Sequence, residues 1–278
     1  MTDPIPLQRE AEIQAPALPG SVVVRRTSDE LLDAMSADMV AHALQCVRTL
    51  GDFHVALSGG STPLPFYRHL MVDPGSRLLP WKRTHLWIVD ERCVGFEDER
   101  SNFRAIDELI GTQSDIPRGQ VHPMEATRED ADERYERELA ETLLWRERGH
   151  DRLDYVLLGM GADAHTASLF PRSAALRRSL DEDGAGSNGR MVVFNRGPGV
   201  TPPDRVTMTL RCLNASRFVA VLVTGASKRE TIERVSSAYR AHADGLPRDV
   251  VEAMPILGVR PRAGELRWYL DSAACPGA

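Results

Sequence analysis

The sequence predicts an α/β protein, a three-layer α/β/α fold around a mostly parallel, Rossmann-like central sheet. Three observations carry that expectation. FHVAL (Phe53 to Leu57), HLWIVD (His85 to Asp90), LDYVLLG (Leu153 to Gly159) and FVAVLVTG (Phe218 to Gly225) are continuously apolar rather than alternating, which suits strands buried on both faces. Each run is followed by a polar or Gly-rich turn and then a helical pattern, which is repeated βα organisation. The 278 residues, 42% hydrophobic and 27% charged, are enough to bury a sizeable core.

Taken in order, residues 1–20 hold Pro4, Pro6, Pro16 and Pro19 among polar residues and read as a disordered tail, without the basic start and apolar core of a signal peptide. Residues 21–274 read as a single α/β domain. Thr27-Ser28-Asp29-Glu30 forms a capping-box pattern, and Leu31, Met35, Met39 and Val40 then recur at helical spacing, predicting a helix to about Leu50. A second long helix is predicted from near Thr127, with Tyr135, Leu139 and Leu143 on its apolar face. DEDGAGSNG, Asp181 to Gly189, is the most linker-like interior stretch and is read as a surface loop, because RVTMTL and FVAVLVTG beyond it look like further strands of the same sheet.

Composition excludes several classes. Lys plus Arg total 34 against 40 Asp plus Glu, and a net charge of −6 argues against nucleic acid as the main partner. No apolar run approaches the length of a membrane span. Cys46, Cys93, Cys212 and Cys275 are widely spaced with no C-x-x-C pair, so neither a zinc site nor a disulfide framework is indicated, and a reducing cytoplasm fits.

In open α/β sheets the ligand lies beyond the carboxyl ends of the strands, so SGGSTP, DER, GMGADAH and TGASK should share one edge. In SGGSTP, Ser58, Gly59, Gly60, Ser61 and Thr62 bring backbone N–H groups toward an anion, with Thr62 as a helix cap and Pro63 at the first helical position. The same turn also reads as an ordinary capped connection. Lys228 and Arg205 are solvated surface charges unless both approach that turn, where together they would grip a phosphate. Asp90 can hold sugar hydroxyls or orient a base, and Arg92 can neutralise charge developing on a carbonyl; a purely structural Asp–Arg pair is the alternative.

Gly159-x-Gly161-x-x-Ala164 fits a loose dinucleotide-binding pattern, but Asp163 would set negative charge against a pyrophosphate and the turn is mid-chain. No cofactor is therefore expected from it. His165 closely follows a strand end, where an imidazole can exchange protons with a substrate, and Asp163 and the neighbouring anion turn favour a catalytic over a structural histidine.

With ALSGGSTP, VDER followed by Ser101-Asn102, GMGADAHTASLFP, RVTMTL and VTGASK in this order, the chain resembles the 6-phosphogluconolactonases from about residue 21 to the WYLDSAA ending. The resemblance implies metal-free, coenzyme-free hydrolysis of 6-phospho-D-glucono-1,5-lactone in the oxidative pentose phosphate pathway. It implies His165 as base, Asp163 and Arg92 as its neighbours, and Ser58 to Thr62 with Arg205 and Lys228 as the phosphate site. It also raises transient association with glucose-6-phosphate dehydrogenase. Where the family reads Asp-Gly-His, this chain has Ala164; if that position needs a positive φ, the alanine costs about 1–2 kcal/mol in strain. Two rivals remain at this level. One is a sugar-phosphate isomerase or deaminase, disfavoured because Phe170 stands where the deaminases carry a glutamate five residues after the histidine. The other is a non-catalytic sugar-phosphate sensor, which has no evident DNA-binding helix pair as output.

Overall fold

The computed structural model describes residues 13–182, 189–242 and 244–276. In chain order its strands and helices are β1 (Ser21–Arg25), α1 (Ser28–Leu50), β2 (Phe53–Leu57), α2 (Leu64–Val72), β3 (Thr84–Ile88), β4 (Asp90–Arg92), α3 (Asn102–Ile106), β5 (Val121–His122), α4 (Ala131–Leu143), β6 (Tyr155–Leu158), α5 (Ala174–Glu182), β7 (Val192–Arg196), β8 (Asp204–Met208), α6 (Leu210–Ala215), β9 (Phe218–Val223), α7 (Arg229–Ala241), α8 (Arg248–Ala253) and β10 (Glu265–Asp271).

Seven strands form one parallel sheet in the order β1-β10-β9-β6-β2-β3-β5. The expected α/β/α architecture is the observed one. Every residue of β2, β6 and β9 is buried, which is why their sequences run apolar without alternation. The chain builds outward from β2 through β3 to β5, then returns to the other side of β2 with β6. The strand order therefore reverses between β2 and β6, and their carboxyl ends open the crevice in which ligands bind.

β4, β8 and β7 form a separate three-stranded antiparallel sheet. The expectation that RVTMTL extends the main sheet is thus corrected. Val89, one residue beyond β3, donates to Leu57 O at 3.0 Å and accepts from Met208 N at 2.9 Å, so the chain switches sheets there.

α1 has the expected capping box: Thr27 Oγ1 accepts from Glu30 N, and the Glu30 carboxylate reaches back to Thr27 N. It buries Leu31, Met35 and Met39. The second long helix begins at Ala131, later than expected near Thr127, because Thr127 to Asp130 form a turn. Thr62 does not cap α2; Pro63 occupies the N-cap position without a side-chain capping bond.

The tail boundary also moves. Leu18 is 5% exposed, the Trp268 Nε1–H donates to Pro19 O at 2.9 Å, and Gly20 (φ 81) passes so close to Leu266 that a Cβ would lie 2.2 Å from its carbonyl oxygen. Residues 1–12 of the proposed tail lie outside the described residues. Of the 181–189 stretch, Asp181 and Glu182 end α5, and 183–188 lie outside the described residues.

Candidate active site

The turn after β2 and the loop after β6 face one another across the point where strand order reverses, and they line a cleft of about 210 Å³. On the β2 side Ser58 to Thr62 form its wall, with Gly60 in the left-handed region at φ 90. The buried Tyr67 hydroxyl of α2 donates to Ser58 O at 2.5 Å and fixes the start of the turn. Gly59 packs against Asn102, and a Cβ there would fall 1.9 Å from Asn102 Oδ1.

On the β6 side the loop from Gly159 to His165 is drawn tight by Gly161 N donating to His165 O at 2.9 Å and Ala164 N to Gly161 O at 3.0 Å. Its tightness forces Ala164 to φ 65 with the side chain fully buried, so the alanine does sit at a left-handed position. Asp163 Oδ1 lies 2.5 Å from His165 Nδ1 and also accepts from His165 N at 3.2 Å. Burial works against the Asp163 carboxylate, but the hydrogen bonds and charge of His165 outweigh it and hold Asp163 below the usual carboxylate range. An ionised carboxylate only accepts, so Nδ1 carries the proton and Nε2 is left as the basic nitrogen. The imidazole, 29% exposed, lines the cleft and packs against the Phe170 ring at 4.9 Å.

β4 contributes the third wall. Asp90 and Arg92 both line the cleft. Asp90 Oδ2 accepts from Ser168 Oγ at 2.6 Å, and Asn102 Nδ2 donates to Asp90 O at 2.7 Å. Ser168 N donates to Thr207 Oγ1 at 3.1 Å and Ser168 O accepts from Asn195 Nδ2 at 2.7 Å, so the small sheet is stitched to the histidine loop. The Arg92 guanidinium donates to Arg100 O at 2.6 Å and forms no ion pair among the described residues. Glu91, fully buried, instead accepts from Ser101 Oγ and from the N–H groups of Arg92, Asn102 and Phe103, anchoring α3 behind the cleft.

Arg205 and Lys228 stand just outside the lining. Arg205, buried at 5% exposure beside Arg92 in the β4–β8 register, turns its guanidinium to the carbonyls of Pro202 and Asp204. Burial pushes it below the usual guanidinium range, with nearby Asp90 opposing and Arg92 reinforcing. Lys228 Nζ donates to Met160 O at 2.7 Å, and burial lowers its pKa against the pull of Asp163. The sequence reading missed Asn102 as a lining residue, although Ser101-Asn102 was part of the resemblance, and it missed Ser168, Thr207 and Asn195. Ser58 Oγ and Asn102 Oδ1 are buried with no hydrogen-bond partner among the described residues.

One group among the described residues has metal-ligand spacing, Asp52, His54 and His85, with candidate atoms within 4.8 Å of one another. It sits at the amino ends of β2 and β3, away from the cleft. His54 Nδ1 accepts from Trp87 Nε1–H and its Nε2–H faces Asp52, while Asp52 is also gripped by Arg146. No lone pair of His54 is free for a metal.

A glycine-rich turn and a histidine–aspartate pair facing each other across the reversal point of a parallel sheet fit the ligand cleft of an α/β enzyme. The chain belongs to the family described as glucosamine-6-phosphate isomerases/6-phosphogluconolactonase, whose model matches residues 26–268. It is 34% identical over 248 residues to a 6-phosphogluconolactonase of Synechocystis, covering 85% of this chain and 92% of that protein. It is 35% identical over 282 residues to the human GDH/6PGL endoplasmic bifunctional protein, covering 99% of this chain but 32% of the relative, so the chain spans about a third of that protein's length. The solved 6-phosphogluconolactonase of Thermotoga maritima superposes with a TM-score of 0.69 at 28% identity, covering 90% of this chain and 100% of that one. No helix of the described residues is long and apolar enough to cross a membrane.

Proposed function

We propose that this chain hydrolyses 6-phospho-D-glucono-1,5-lactone to 6-phospho-D-gluconate, its step of the oxidative pentose phosphate pathway. The observation that carries the reading is the placement of His165 and the Ser58–Thr62 turn in one cleft, in a chain similar over most of its length to named lactonases. The phosphoryl group lies against the turn's N–H groups, with Lys228 and Arg205 adding positive charge beside it. Lys228 reaches the phosphoryl group by swinging its flexible stem away from Met160. Asp90 keeps one oxygen free of Ser168 for a sugar hydroxyl.

His165 Nε2 removes a proton from water as the water oxygen bonds to C1. Charge moves onto the carbonyl oxygen, where Arg92, which forms no ion pair among the described residues, is the stabilising group. The C1–O5 bond then breaks and the imidazolium returns its proton to the departing O5. Such acid–base help contributes about 10²–10⁴ in rate. Asp163 holds the imidazole in the required tautomer.

Residues 21–274, with the packed stretch 18–20 ahead of them, act as one hydrolase domain, in the cytoplasm on this reading. A relative named as both GDH and 6PGL in one chain supports transient association with the glucose-6-phosphate dehydrogenase that supplies the lactone. The deaminase alternative lacks its second acid, because the Phe170 ring packs on His165 where a glutamate would be needed. A coupled assay with freshly generated 6-phosphogluconolactone, spontaneous hydrolysis subtracted, tests the proposal. Enzyme-dependent turnover is expected; binding without turnover, or ammonia release from an amino sugar phosphate, contradicts it.

A further inference from the structure

Helix α7 and the residue before it run past the histidine loop and turn three donors toward it. Lys228, just before the helix, donates to Met160 O at 2.7 Å, Thr231 Oγ1 to Ala162 O at 2.9 Å, and Arg234 Nη2 to Ala162 O at 2.8 Å. The three are spaced i, i+3, i+6, a row that runs obliquely across the helix surface. Thr231 is 4% exposed, whereas Arg234 lies on the surface.

In a trans peptide the C=O and N–H groups point in opposite directions. Holding the Met160 and Ala162 carbonyls against α7 therefore turns the N–H groups of Gly161 and Asp163 away from it. Gly161 N accordingly meets His165 O at 2.9 Å. The peptide gripped by both Thr231 and Arg234 leads directly into Asp163, whose carboxylate carries His165. Ile256 N donates to Ala164 O at 3.0 Å, pinning the peptide between the two catalytic side chains. With Ala164 and Ala167 at positive φ, the loop holds a backbone shape that alanine disfavours, and a clamp on its carbonyls opposes relaxation.

We infer that Thr231 and Arg234 are positioning residues for the reaction, fixing the Ala162–Asp163 peptide and through it the orientation of the His165 imidazole. This rests on the reading of His165 as the base. The clamp acts on where the imidazole points, so it governs kcat rather than substrate affinity. Lys228 grips the same loop but also borders the phosphate site, so it is left out of the test.

The experiment compares Thr231→Val, Thr231→Ser, Arg234→Ala and His165→Ala, assayed for lactone hydrolysis and examined by proton NMR for the downfield Nδ1–H resonance of the short His165–Asp163 hydrogen bond. Thr231→Val, which keeps the shape and loses the donor, should lower kcat about tenfold or more with KM within about twofold, since small misplacements of catalytic groups cost up to about 10² in rate. It should also shift or broaden the NMR resonance. Thr231→Ser should restore both. Arg234→Ala, on an exposed residue whose loss does not threaten folding, should lower kcat a few-fold on its own. Folded Thr231→Val with unchanged kcat and resonance, or Thr231→Ser as impaired as Thr231→Val, overturns the inference; if Thr231→Val does not fold, unchanged kcat in Arg234→Ala overturns it. Wild-type turnover in His165→Ala would instead bring down the underlying reading, whereas loss there with full activity in the clamp variants removes the clamp alone.

Discussion

Asp163 Oδ1 stands 2.5 Å from His165 Nδ1, between two residues only two apart in sequence, with the buried Ala164 at φ 65 between them. The left-handed turn at Ala164 folds the aspartate back onto the ring. On the proposed mechanism one loop therefore supplies both the base and the group that sets its tautomer, and the chemistry depends on the shape of that loop.

Gly161 sits beneath the pair, where a Cβ would fall 2.2 Å from His165 Nδ1 and 2.7 Å from Asp163 Oδ1. Gly161→Ala should push the imidazole aside and lower kcat about 10²-fold, with a smaller effect on KM. Steady-state kinetics on the folded variant check this; unchanged kcat would show that the ring does not need its present position.

Ala164→Gly removes left-handed strain of about 1–2 kcal/mol but adds backbone entropy to the unfolded chain of about 0.5–1 kcal/mol and loses a buried methyl group. Stability should change by about 1 kcal/mol or less, and turnover should be unchanged or higher. Urea midpoints and kcat measure the two effects, and a large loss of turnover would contradict this view of the loop.

Lys228→Ala should mainly raise KM for the phosphorylated lactone, by about tenfold for a lost charged contact, with little effect on an unphosphorylated lactone. Equal losses on both substrates would place Lys228 with the loop rather than with the phosphate.

Acid should destabilise the fold through the histidines of the main sheet. Burial lowers His54, and burial together with neighbouring His54 and His122 pushes His85 down to about 3. Unfolded histidine titrates near about 6.5, so between that pH and about 3 the unfolded chain binds more protons than the folded one. Stability is then present above about pH 6.5 and lost as pH falls through this window. The urea midpoint should be lower at about pH 5.5 than at about pH 7.5; equal midpoints would show that these rings titrate normally.

The central strands and the two glycine turns were legible because continuous apolarity and Gly-rich punctuation are local signals. β8 was assigned to the wrong sheet because RVTMTL carries no mark of its partner; the switch occurs at Val89, through bonds to Leu57 and Met208. Thr62-Pro63 looked like a cap and first turn, but capping depends on a side-chain rotamer that sequence does not fix. His165 and Asp163 were singled out together because they lie in one loop, and the structure places their side chains in contact. Ser168, 78 residues from Asp90 in sequence and 2.6 Å from it in space, could not.

The most direct test of the account is kcat and KM of His165→Ala on freshly generated 6-phosphogluconolactone. A fall in kcat of about two to four decades with KM little changed is the predicted result. Turnover near the wild-type rate in the folded variant would contradict it.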